Sequence, residues 1–441
     1  MHPIRPPRLA LAVLAVCAVP MLVASNIGRR FPPEMRVFVD KVTGIPITAL
    51  TTDPANDAKI YQTHPQWTAD GKWIIFRSNR GSPAVTETAA PGASRARPRS
   101  IYEAFAVNET TGEIVQLTDG PHGYSGMLNV ARKSMKLYFL RYPGEDAPAQ
   151  MIELNLEKLL ADSAAGKMQP QSAYERICGT LPAGMRDSGG FSLDADEKYA
   201  YIGVRGGDCG THLPPGTKIV TTQPGQRMGA GPAGLRSMNL ETGEVKVIID
   251  TPFLMGHVQA NPWVEGEIVY CHETGGDAPQ RMWTVRADGS GNRPLYVEDP
   301  TEWITHEAIV TRDEVMFSIM AHLPRLQTRP TGLAVINLRT NVVRILGQAP
   351  LTPPDRGFWH VNGSPDGRWA VGDTFAGNLY LIDRRDDRMT LLTTGHVMKP
   401  DHAHPTFSPD SRRILIQSGL LTGGKSLDLM VVPIPADLLE E

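Results

Sequence analysis

His402 and His404 stand two residues apart in Asp401-His-Ala-His-Pro405. On an extended chain that spacing turns both imidazoles to one side, and two imidazoles on one face can chelate a divalent cation. His360 precedes a similar apolar run and could add a third ligand, with the Asp401 carboxylate placed to orient a ring. Three imidazoles suit manganese, zinc, nickel or iron better than calcium, which prefers oxygen. His306, in Trp303-Ile-Thr-His-Glu-Ala308, is of the residue type that abstracts a proton near pH 7. Arg281, in Gln280-Arg-Met-Trp283, carries a planar fork able to clamp a carboxylate, though a surface ion pair uses the same fork. His272, in Tyr270-Cys-His-Glu273, follows an apolar run and reads more readily as structural.

The elements that must position these residues are repeated. His64-Pro-Gln-Trp-Thr-Ala-Asp-Gly-Lys-Trp-Ile-Ile-Phe76 and His404-Pro-Thr-Phe-Ser-Pro-Asp-Ser-Arg-Arg-Ile-Leu-Ile416 share one phrase, and Val361–Val371 keeps its turn. Each is a short strand, a Pro/Asp/Gly turn and an apolar return strand. Weaker copies at Gly126–Leu140, Gly190–Val204, Ala260–Cys271 and Glu307–Ile319 bring the number to seven, spaced roughly 57 residues apart. Between them recurs a second hairpin built on an Asn/Asp-x-x-Thr-Gly turn, as in Phe105–Leu117 and Met238–Ile248. Two hairpins per repeat predict a four-stranded blade, and seven repeats predict an all-β, seven-bladed β-propeller. The last repeat is short of strands, whereas Val37–Leu50 is a hairpin without a repeat of its own, so the N-terminal segment is expected to close the ring. In such a ring the first strand of each blade lines the channel. His64, His306, His360, His402 and His404 all fall at that position, so a plain polar channel lining stands beside the metal and base readings. Leu154–Leu160 has helical spacing, and Ala84–Arg99, rich in Ala, Pro, Ser and Arg, reads as a mobile insertion.

Composition narrows the function. The 441 residues include 42 glycines and 37 prolines, which favours turns and short strands over long helices. The net charge of −3 leaves no basic excess to neutralise a phosphate backbone, so nucleic acid is not an expected partner. Arg5 and Arg8 precede the apolar run Leu9–Ala24, which is too short to span a membrane and is followed by Ser25 and Asn26. That order predicts a signal peptide over 1–25, a single propeller domain over 26–441, periplasmic or secreted location, and no membrane partner after cleavage. Cys178, Cys209 and Cys271 remain beyond it, an odd number from which a Cys178–Cys209 pairing carries no geometric support. There is no Gly-x-Ser-x-Gly elbow and no Cys-x-x-Cys.

The ordered set Phe31-Pro-Pro-Glu34, Phe76-Arg-Ser-Asn-Arg80, Tyr270-Cys-His-Glu273, Arg281-Met-Trp283, Thr305-His-Glu307, Val371-Gly-Asp373 and His402-Ala-His-Pro405 resembles the oligogalacturonate lyases, which are seven-bladed propellers. The resemblance implies cleavage of uronate oligosaccharides by metal-assisted β-elimination. It implies that His306 is the base, that Arg281 is an active-site arginine, and that His360, His402 and His404 hold the metal, foremost Mn2+. The family's glutamine ligand corresponds to Lys399, which as an ammonium has no lone pair for a cation and would face substrate instead. His272 and Arg281 join Lys399 as expected substrate contacts. The family's second histidine after Cys-His-Glu is replaced by Gly275-Gly-Asp277. The alternatives are a non-catalytic propeller that binds protein or glycan, and a lyase for a different uronate polymer.

Overall fold

In the strand Trp73–Ser78, Ile74 and Phe76 point to one side and Trp73 and Ile75 to the other, and all four are buried. A strand with two buried faces requires a sheet packed against each of them. The computed structural model describes residues 25–440 apart from 82–84, 87–97, 100–101, 121–124, 145–146 and 225, and in it this requirement is met around a closed ring. Blade one is built from Asp57–Lys59, Trp73–Ser78, Glu103–Asn108 and Ile114–Gln116; blades two to six follow as consecutive antiparallel meanders of four strands. The first strand of each blade lies innermost; those of blades two to seven touch in succession, and that of blade one touches Arg413–Ser418 and Asp428–Pro433 of blade seven. Seven apolar clusters, one in each interface between neighbouring blades, form the core.

Blade seven joins the two ends of the chain. Thr406–Phe407, Arg413–Ser418 and Asp428–Pro433 are completed by Pro46–Ala49 and Arg36–Val39, with Thr48 opposite Val431 and Ala49 opposite Met430. The closure expected from the unpaired N-terminal hairpin is therefore present. Asp40 ties this hairpin to blade six, its carboxylate accepting the Thr394 N–H at 2.7 Å. One addition was not foreseen: Arg30–Phe31 pairs outside Ile114–Gln116 as a fifth strand of blade one, with Phe31 against Phe105.

The repeated turns share their chemistry. Asp70, Asp366 and Asp410 each accept a hydroxyl from Thr68, Ser364 or Ser408 at 2.5–2.6 Å, and each also accepts a backbone N–H two residues on. In the second hairpin, Asn108, Asn239 and Asn337 accept the N–H groups two and three residues ahead. The expected helix runs over Leu156–Ala165, capped by Asn155 and seated by Leu156, Leu159 and Leu160; Leu154 belongs to the strand before it. Cys178, Cys209 and Cys271 are free thiols. The expected signal peptide over 1–25 lies, apart from Ser25, outside the described residues. So does most of 84–99, of which Val85–Thr86 and Pro98–Arg99 pair as a two-stranded ribbon.

Ile47 in the closing strand is fully buried among Trp369, Val371, Ile414 and Met430. Ile47→Ala is expected to lower unfolding stability by about 2–5 kcal/mol, whereas Val37→Ala, at a position 64% exposed, is expected to stay within about 0.5 kcal/mol of the parent. Denaturant unfolding checks both, and an unaffected Ile47→Ala would contradict the closure.

Candidate functional site

The inner strands of blades four, five and six (Met255–Ala260, Ile304–Thr311 and Phe358–Gly363) each shift register near their start. A bulge adds a residue and re-aims the side chains beside it. His257, His306 and His404 adopt left-handed φ of 47°, 60° and 48°, a conformation that costs a non-glycine residue on the order of 1–3 kcal/mol. In a regular strand His306 and Glu307 would face opposite ways. Here both enter one cluster at an end of the channel, His306 against His360 and Glu307 against Arg281 and His257.

His360 is the centre of the histidine half. Its ring centroid is 4.0 Å from that of His306, 4.0 Å from His404 and 5.3 Å from His402. Asp373 fixes it, accepting the His360 N–H at 2.6 Å and lying 3.4 Å from its Nδ1. The same carboxyl accepts the N–H groups of Ala403 and His404, so one buried aspartate joins blade six to blade seven; burial pushes it up to about 8. Ligating atoms of His360, Asp373 and His402 lie within 4.8 Å of one another. Burial, and then the neighbouring charges, hold His360 and His306 well below the usual histidine range and His402 at about 4. Burial also lowers His404, although the Asp401 carboxylate 3.2 Å from its Nε2 opposes the shift. Neutral imidazoles keep a lone pair. His402 Nδ1 and His404 Nδ1 are buried without a hydrogen-bond partner, so donor atoms suited to a cation stand unused. His306 Nδ1 lies 2.7 Å from the Trp359 carbonyl oxygen, which can only accept. The ring proton is therefore on Nδ1 and the lone pair on Nε2.

The other half is charged. Arg281 is buried, with Nε 3.1 Å from Glu307 Oε2 and a terminal nitrogen 3.6 Å from Glu273 Oε2. Burial pushes Glu307 up, but Arg281 and His257 outweigh it and hold it well below the carboxylate range. His257 bridges the two acids, 3.0 Å from Glu307 and 3.5 Å from Glu273. His257, Cys271 and Glu307 also have metal-ligand spacing, but the Arg281 guanidinium already supplies the cation there. Tyr61, from blade one, inserts between the halves, its ring centroid 5.0 Å from His257 and 5.0 Å from His404.

Of the expected residues, His306, His360, His402, His404 and Arg281 come together. Arg281 is not at the surface: its Nε and one terminal nitrogen face Glu307 and Glu273 inside the cluster. His272 turns from the cluster to stack on Phe253 at 4.6 Å, with Nε2 3.2 Å from the Gly229 carbonyl. Lys399 is exposed on the loop leading to Asp401, and its ammonium has no ion-pair partner among the described residues. His64 does face the channel, with Nε2 2.8 Å from the Phe191 carbonyl of blade three. Sequence reasoning missed His257, which lies three residues before the repeat phrase that begins at Ala260. It also missed Tyr61, which precedes the repeat phrase, and the bridging role of Asp373.

The fold and this site define a seven-bladed β-propeller with a buried histidine cluster at one channel mouth. No family model matches the chain. It is 25% identical over 224 residues to an oligogalacturonide lyase of Pectobacterium atrosepticum and 26% identical over 225 residues to an oligogalacturonate lyase of Dickeya dadantii. Both matches cover 44% of this chain and 54% of the relative, so the chain spans about half the length of the curated relatives it matches. A solved oligogalacturonate lyase in complex with manganese superimposes with a TM-score of 0.71 over 93% of this chain and 99% of that one, at 19% identity. The chain thus resembles the oligogalacturonate lyases in fold and, over part of its length, in sequence, as a divergent relative.

Arg281→Ala would leave Glu307 and Glu273 without their cation in a buried setting and is expected to cost about 3–5 kcal/mol of stability. Arg281→Lys, which keeps the charge but not the fork, is expected to cost less. Urea unfolding of both variants tests this, and an Ala variant as stable as the parent would contradict the ion-pair network.

Proposed function

We propose that the protein is a lyase that cleaves uronate-containing oligosaccharides by metal-assisted β-elimination, with His306 as the base. The observation that carries this reading is the contact of His306, with its lone pair on Nε2, with a cluster of neutral imidazoles whose nitrogens lack partners. His360, His402 and His404 are the residues suited to hold a divalent cation, Mn2+ by analogy with the manganese-bearing relative, and Asp373 orients His360 from behind. Such a cation neutralises the substrate carboxylate, which makes the adjacent C5–H acidic enough to remove.

The chain's own residues account for the remaining work. His306 Nε2 accepts the C5 proton, while the Trp359 carbonyl holds Nδ1–H and with it the ring orientation. Arg281 acts at one remove: its buried charge disfavours a second cation nearby and helps to keep His306 unprotonated. Exposed Lys399 is assigned to a further acidic group of the substrate. Export is part of the proposal and rests on the order of residues before Asn26 alone; N-terminal sequencing of the protein from its host tests it.

Incubation with a panel of oligouronates is expected to generate the ultraviolet absorbance of a conjugated alkene, and His306→Ala to lower the rate about 10²–10⁴-fold. A base whose protonated form is disfavoured by burial stays competent as pH falls, so the acidic limb of kcat/KM is expected to lie below the ordinary histidine value of about 6.5. Absence of the chromophore with every uronate would reject the lyase reading and favour a binding propeller.

A further inference from the structure

We propose that Tyr61 is a catalytic residue of this site, the hydroxyl that gives a proton to the departing glycosidic oxygen; the proposal rests on the lyase reading above. Tyr61 comes from blade one, just after the inner strand Asp57–Lys59, and meets histidines of blades four, six and seven. Its ring centroid is 5.0 Å from His257, 5.0 Å from His404 and 6.3 Å from His360. The backbone is pinned in place, the Tyr61 carbonyl accepting the His64 N–H at 3.0 Å and Gln66 Nε2 at 3.2 Å. The hydroxyl has no hydrogen-bond partner among the described residues, although the side chain is half-buried. A phenol so placed ordinarily finds a partner, and a substrate bound among these histidines would supply one.

The other groups at this mouth are committed elsewhere. His306 receives a proton, and His360, His402 and His404 offer lone pairs. His257 is held between Glu307 and Glu273, and Arg281 pairs with the same acids. The Lys59 ammonium donates to the Ile60 carbonyl and to Thr406 Oγ1. Tyr61 is left as the uncharged O–H donor. In the balanced step the C5–H bond breaks, its proton goes to His306 Nε2 and its electron pair becomes the C4–C5 π bond. The C4–O bond breaks with its pair on oxygen, and that oxygen takes the Tyr61 proton to leave as an alcohol. Exchange with water then returns the proton to Tyr61 and removes the one on His306.

The test compares the parent and Tyr61→Phe, each loaded with manganese, on an oligouronate and on a uronate carrying 4-nitrophenoxide at C4, which leaves without protonation. The expected result is a loss of about 10²–10⁴-fold on the oligouronate and of less than about fivefold on the aryl substrate. Equal losses on both substrates, or no loss on the oligouronate, would overturn the proposal. A parent inactive on both substrates would instead reject the lyase reading, and this proposal with it. In the parent, the solvent deuterium isotope effect on kcat is expected to be larger for the oligouronate than for the aryl substrate; equal effects would overturn the assignment whether or not the variant folds.

Discussion

The pairing of Pro46–Ala49 with Asp428–Pro433 holds the ring at seven blades, and the site depends on that closure. His402 and His404 belong to the blade that this pairing completes. They meet His360 from the sixth blade on one side and Tyr61 from the first on the other. An open array would leave the last inner strand without its neighbour from blade one and would separate Tyr61 from the histidines. The hydrogen bonds that cross the channel, from Gln62 to the Val361 carbonyl and from Asn362 to the Gln62 carbonyl, rest on the same closure.

Within the ring the mouth divides electrostatically. Blades four and five supply a buried cation with two carboxylates, Arg281 between Glu307 and Glu273. Blades five to seven supply imidazoles that burial keeps neutral. The first half is complete in itself. The second is not, since buried His402 and His404 nitrogens lack partners, and an unsatisfied buried polar atom costs about 1–3 kcal/mol. The left-handed φ angles of His257, His306 and His404 add strain at the same place. This concentration of cost at one mouth of a regular fold motivates the binding role proposed for these residues.

Much of this was legible in the sequence because the propeller is a repeat. The Asp-Gly and Asn-x-x-Thr-Gly turns bond side chain to backbone locally, so their geometry is contained in a few adjacent residues and recurs recognisably from copy to copy. The closing hairpin was legible as the unit without a repeat. What escaped depends on contacts between blades. Asp373 looks like any strand aspartate until Ala403 and His404 fold against it. Arg281 reads as a clamp or a surface ion pair until Glu307 arrives from the next blade. A bulge lengthens the inner strand of blade four, so His257 stands ahead of the repeat phrase that begins at Ala260. Arg30–Phe31, two residues long, carries too little pattern to be read as a strand at all.

His360, His402 and His404 are proposed to hold the metal, with Arg281 excluding a cation from the other half of the mouth. A crystal soaked in manganese, with anomalous difference density measured at the manganese edge, tests it most directly. One peak bound by nitrogens of His360, His402 and His404 is the predicted result. No peak at the channel mouth, or a peak between His257, Cys271 and Glu307, would contradict it.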